Sequence, residues 1–150
     1  MDKNILEILD KSNPPLADRL KFLEELYWAN WEEIGSDNLE KIFGYLTSRS
    51  LEVEEMAKVL SLYNNVAGAY TDKFANIIGN YYREDKIKFF KALNLNKDEA
   101  IYLVYIFKML KIFEDGDKEY EEVKNLNKLT DEELDTANMF FTMYRTICHT

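Results

Sequence analysis

A chain of 150 residues suits one domain and can bury enough surface to fold without a disulfide or a structural metal. Its 47% hydrophobic and 14% aromatic content predicts a well-filled core, while a net charge of −9 disfavours nucleic acid, whose binding rests on neutralising phosphates. The most apolar run, Ala100 to Phe113, carries Lys108 and Lys111 and is too short to span a bilayer, and the acids Asp2, Glu7 and Asp10 break any leader-like start. A cytoplasmic protein, or a host-intracellular one if the source is viral, with no membrane contact is therefore expected.

Helical spacing of apolar residues dominates, with few glycines and prolines to interrupt it. The first predicted helix, Lys3 to Asp10, is short. Ser12 or Asn13 caps a second, opened by Pro14 and Pro15, running to Ile34 and stopped by Gly35. A third begins at Ser36 or Asp37 and ends near Ser48, a fourth runs from Ser50 to Gly68, and a fifth from Thr71 to about Arg83. Asp85 to Leu93 makes a sixth. Asn96, with Glu99 three residues on, reads as a capping box opening a seventh that reaches Phe113 and stops at Gly116. Glu119 to Asn125 makes an eighth. Thr130 with Glu133 forms a second capping box, and the last helix runs to about Ile147.

The expected fold is all-α: a compact bundle of about eight or nine helices in a single domain, 1–150, with a buried central helix near residues 97–113. Ile101 to Phe107 places apolar side chains on every face of two turns, the signature of a helix surrounded by others; the alternative is a helix with one face in the core and one left for a partner. A short α-solenoid of helical hairpins is the alternative. It rests on the likeness of DNLEKIFGYL from Asp37 to DKFANIIGNY from Asp72, in which Gly44 matches Gly79.

Little in the chain carries a reaction. The one histidine, His149, and the one cysteine, Cys148, adjoin each other close to the C-terminus. That is a poor place for proton transfer, metal ligation or a shaped thiolate pocket. Glu24, Glu25, Glu32, Glu33, Glu52, Glu54 and Glu55 fall mostly opposite the apolar arcs, on faces expected to be solvated. Asp115, Asp117 and Glu119 have the spacing of the first ligands of a calcium loop. The glycine such a loop needs is replaced by Tyr120 and its closing glutamate by Leu126, so no metal or other cofactor is expected. Phosphate-loop, nucleophile-elbow and Cys-x-x-Cys patterns do not occur.

Charge is unevenly spread, with −7 on residues 114–135 and +3 on residues 83–111. The acidic stretch, with Asp115, Asp117, Glu119, Glu121 and Glu122, is a candidate surface for a protein partner, a basic one included. The basic stretch, Arg83, Lys86, Lys88, Lys91 and Lys97 around Phe89 and Phe90, reads as solvated lysines over a core face, and nucleic acid stays disfavoured as a partner.

Some apolar residues lie off the core arcs. Leu16, Leu20, Leu23, Tyr27, Trp31 and Ile34 make one arc, from whose centre Trp28 falls about 100° away. That places Trp28 among charged residues, either as a cover for a neighbouring helix or as a candidate interface anchor. Asn30 falls inside the arc, where a buried amide would satisfy a backbone carbonyl. In the last helix Leu134, Ala137, Phe141, Tyr144 and Cys148 make the core stripe, with Met139 and Met143 nearly opposite. Either this helix is sandwiched between two layers, or the pair is exposed, in which case methionines adapt to irregular partners and self-association as a homodimer is their simplest use. These features point to a non-enzymatic protein-binding role as adaptor, inhibitor or immunity-type protein. The competing readings are a small-molecule sensor or structural subunit, its pocket lined by Asn30, Asn64 or Asn80, and a carboxylate-dependent enzyme.

Overall fold

A computed structural model describes residues 6–48, 50–65 and 70–147. Gly68, Cys148 and His149 lie outside them. Among the described residues there are eight α-helices, four 3-10 segments and no strand. The helices are α1 (Leu16–Trp28), α2 (Ser36–Ser48), α3 (Val53–Ser61), α4 (Thr71–Glu84), α5 (Lys86–Asn94), α6 (Ala100–Leu110), α7 (Gly116–Asn125) and α8 (Asp131–Thr146). Among the described residues no helix is long and apolar enough to cross a membrane. The chain divides into two compact units, 1–77 and 78–150, the boundary falling inside α4.

In the first unit α1 lies along α3, and a 3-10 turn at Glu7–Asp10 touches α1 and α2. Phe22, Leu23, Leu26, Ile42, Leu46, Val59, Leu60 and Phe74 are fully enclosed. The second predicted helix, now α1, is shorter than its apolar arc implies. It ends at Trp28 because Ala29 turns extended, with ψ at 152°, and the Asn30 side chain accepts from the Glu32 N–H at 3.1 Å. Asn30 therefore caps a 3-10 turn, Trp31–Glu33, instead of serving a buried carbonyl. The break swings Trp31 into the core, where its indole N–H donates to the Leu26 carbonyl at 2.9 Å. Gly35 follows at φ +87°, a left-handed conformation that favours glycine, and α2 starts immediately after it.

The fourth predicted helix also divides, into α3 and a 3-10 segment at Leu62–Asn65. The α3 start is held by the Glu55 carboxylate, which accepts from the Glu52 N–H at 2.9 Å.

In the second unit α8 packs against α5, α6 and α7. The unit's core is a connected set of rings: Tyr82, Phe89, Phe90, Phe107, Phe113, Phe140, Phe141 and Tyr144 meet at centroid distances of 4.5–6.2 Å. Edge-to-face pairs recur among them, the arrangement the ring quadrupole favours.

The Thr130 box forms as predicted: the Thr130 hydroxyl accepts from Glu133 N–H at 3.2 Å and the Glu133 carboxylate accepts from Thr130 N–H at 2.9 Å. The Asn96 box does not form. Lys97–Glu99 is a 3-10 turn with no side-chain cap, and α6 starts only at Ala100. At its far end Lys111, at φ +51°, closes α6 in place of a glycine. Gly116 opens α7 rather than stopping α6, because the Asp115 side chain caps the N–H groups of Asp117 and Lys118.

The glycines of the proposed repeat sit in unlike surroundings. A Cβ on Gly44 would meet nothing within 4 Å. On Gly79 it would approach Ile112 Cδ1 at 2.9 Å and Leu110 Cδ1 at 3.0 Å.

Candidate functional site

Trp28 is the most exposed large apolar side chain among the described residues, at 75%. Its position follows from the α1 break: the last helical residue keeps its outward direction while Trp31, three residues on, is turned inside. The ring is held in place. Its N–H donates to Glu24 at 3.1 Å, its edge meets the Tyr27 ring at 4.9 Å, and Lys58 pairs with Glu24 at 3.0 Å. The hydrogen bonds from Lys58 and Trp28 keep the Glu24 carboxyl below its usual range.

The acidic residues singled out from sequence are mostly engaged within their own unit. Asp115 caps α7, and Asp117 pairs with Arg145. Glu119 accepts from the Tyr82 hydroxyl at 2.5 Å and from Lys86 at 3.0 Å, and Glu122 lies 3.8 Å from the same Lys86. Glu121 is exposed and makes no ion pair among the described residues. The basic stretch is the counterpart: Lys91 pairs with Glu133 at 2.8 Å and Lys97 with Glu132 at 3.3 Å. The opposite charges noted in sequence thus meet one another across α5, α7 and α8. Burial, and then the Glu119 hydrogen bond, push the Tyr82 phenol far above its ordinary value. Burial alone would raise Glu133, but the bonds from Lys91 and the Thr130 N–H outweigh it and hold that carboxyl low.

Met139 and Met143 are half-buried, so they do not form an open patch of the kind the Trp28 ring makes. Phe140 and Thr136 are buried beside the predicted stripe, and the Thr136 hydroxyl donates to Asn94 at 2.7 Å. Of the asparagines considered as pocket lining, Asn30 is spent on its cap and Asn80 accepts from Arg83 at the surface; the Asn64 side chain lies outside the described residues. No group of three or more His, Cys, Asp or Glu is placed to hold a metal ion among the described residues.

One feature escaped the sequence reading, and a second stood there only as the alternative to a fully surrounded helix. Glu55, grouped there with solvated carboxylates, is fully buried. Arg19 lies 3.1 Å from one of its oxygens, and the Tyr45 hydroxyl donates to the other at 2.8 Å. The second is a stripe on α6. Ala100, Leu103, Val104, Ile106 and Phe107 are buried, but Tyr102, Tyr105 and Met109 are 43%, 52% and 55% exposed. Spacings of three and four residues put these three on one face. A sequence apolar on all sides cannot show which side stays outside. The i, i+3, i+7 placement of two tyrosines and a methionine, among aliphatic neighbours, Phe107 and Lys108, was the available signal.

The chain matches no family model, no curated protein and no solved structure.

Proposed function

We propose that this protein works by binding another protein through an exposed helix face and performs no reaction of its own. The observation that carries the reading is the Tyr102, Tyr105 and Met109 stripe on α6. Tyrosine and methionine are the side chains that supply contact area with adaptable geometry at interfaces. The opposite face of the same helix anchors it in the ring cluster through Phe107, so the stripe is presented on a rigid support. Trp28, pinned by Glu24 and Tyr27, offers a second anchor in the other unit. An adaptor, inhibitor or immunity-type role fits such faces, and so does a cytoplasmic setting. A basic partner is not required, because most of the named acids already have cations.

Affinity capture of the full chain from its native host tests this, run beside Tyr105→Glu and Trp28→Ala. A specific protein, retained by the wild type and lost from Tyr105→Glu, is expected. Both substitutions are at exposed side chains and should shift stability by no more than about 0.5 kcal/mol. Identical captured sets from all three chains, with unchanged thermal melts, would refute the reading.

A further inference from the structure

We propose that Met109 is a redox-sensitive modification site: a hydroperoxide converts its thioether to the sulfoxide in the folded chain, and the added oxygen turns the apolar end of the α6 stripe polar. The effect on binding rests on the helix-face reading above and deepens it, whereas the site of oxidation stands without it.

The four methionines among the described residues differ in their access to an oxidant. Met109 is 55% exposed, Met56 is 4% exposed, and Met139 and Met143 are half-buried. A thioether sulfur must meet the oxidant directly, so a buried one reacts only when its surroundings open. Met109 needs no such opening, because the residues around it are anchored on the inner side of α6. Phe107 lies in the ring cluster, and the Lys108 ammonium stands 3.8 Å from the centre of the Tyr144 ring. Leu110 packs so close to Gly79 that a Cβ there would meet it at 3.0 Å. The last turn of α6 is thus fixed to the fold while the Met109 side chain faces outward.

The chemistry is complete with one co-reactant. The sulfur lone pair attacks one peroxide oxygen, the O–O bond breaks and an S–O bond forms. Sulfur gives up two electrons to the peroxide, and after a proton shift the second oxygen of hydrogen peroxide leaves as water. A thiol-dependent reductase reverses the change, removing the oxygen as water while two thiols become a disulfide. This two-electron step attacks sulfur and leaves the phenols of Tyr102 and Tyr105 as they are, so Met109 is the member of the stripe that it alters.

The consequence follows from position. Met109 lies four residues from Tyr105 and seven from Tyr102, at the C-terminal end of the stripe. A sulfoxide there is a hydrogen-bond acceptor that an apolar partner would have to desolvate without replacing its water. Docking then loses apolar burial and strands a polar group, while the core beneath is untouched.

Graded doses of hydrogen peroxide on the full chain, followed by mass spectrometry of its proteolytic peptides, test the site. The Met109 sulfoxide should form on the order of tenfold faster than that of Met56, and ahead of those of Met139 and Met143. With Met109 oxidised, the melting temperature should stay within about 2 °C of the untreated chain. A hydrophobic-interaction column should release the oxidised protein earlier, and methionine sulfoxide reductase should restore its retention. Met109→Leu, whatever its own retention, should show no such shift at the same dose, which separates Met109 from the other sulfurs of the chain, Met1 and Cys148 included. A protein captured by the untreated chain should be lost after oxidation and return after reduction. Oxidation of Met56, Met139 or Met143 at or ahead of the Met109 rate overturns the proposal. So do retention and capture that persist once Met109 is oxidised, or an equal column shift in Met109→Leu. The peptide rates and the column need no partner, so failure of the proposal and failure of the helix-face reading stay distinguishable.

Discussion

Glu55 is a carboxylate hidden by its neighbours. One oxygen holds the Glu52 N–H and faces Arg19; the other takes the Tyr45 hydroxyl. The Arg19 side chain keeps only 14% of its exposure, and its Nε has no acceptor among the described residues. An ion pair this enclosed roughly cancels its own desolvation cost, but removal of one member strands the other charge. Glu55→Gln should therefore lower stability by about 3 kcal/mol. Glu54→Gln, at an exposed position of the same helix, should cost less than about 0.5 kcal/mol. Adding Arg19→Met to Glu55→Gln should recover most of the loss, since the amide oxygen atom can still accept from Glu52 or Tyr45 while no uncompensated charge remains. Urea unfolding followed by circular dichroism reads all three. Similar small losses at positions 54 and 55 would mean that Arg19 finds water once its partner is neutral.

At the scale of elements, the alignment of Gly44 with Gly79 makes α2 and α4 look interchangeable, and their packing makes them different. Alanine in an exposed helix interior gains about 1 kcal/mol over glycine. Gly44→Ala should realise that gain, because a Cβ there meets nothing within 4 Å. Gly79→Ala should forfeit it, because the new methyl must displace Ile112 and Leu110 from 2.9 and 3.0 Å. Equal rises in melting temperature would restore the equivalence a repeat demands. The same contrast explains what could be read in advance. Some elements announced by backbone chemistry were legible, Gly35 before α2 and Thr130 with Glu133 at the head of α8, while the like signals at Asn96 and Gly116 misled. Those decided by tertiary packing were not. Nothing local distinguishes a glutamate that faces Arg19 from one that faces water, and the α1 break at Ala29 follows from where Trp31 fits. The α6 stripe was hidden for a related reason, since an all-apolar helix has no polar side to mark its outer face. Trp28 was legible because its neighbours at helical spacing are charged.

Across the whole molecule, the net charge of −9 conceals local pairing that sets how stability depends on pH. Glu24 in the first unit and Glu133 in the second both have carboxyl values held below the usual 4.5. Each is more acidic folded than unfolded, so its stabilisation is present above the unfolded value and is lost as pH falls through the folded one. Glu24 is more than half exposed and its pair with Lys58 is screened by solvent, whereas Glu133 keeps only 14% of its side-chain exposure. The loss on acidification should therefore follow Glu133. Glu133→Gln preserves the capping geometry with Thr130, because a glutamine can fill the same place in the box, but it removes the ion pair with Lys91. Its melting temperature should be lower than wild type at neutral pH and should change less below about pH 4.5, the ordinary carboxylate value. Tyr82 works in the opposite direction. Its phenol is raised above 10.0 by burial and by Glu119, so it stabilises the fold fully below that value and progressively less as pH rises beyond it. Tyr82→Phe keeps the ring among Phe89, Phe90 and Phe107 and should flatten the alkaline decline. Melting temperatures of wild type, Glu133→Gln and Tyr82→Phe across the pH range measure both arms. An acid arm unchanged by Glu133→Gln, or an alkaline arm unchanged by Tyr82→Phe, would show that other groups control the corresponding limit.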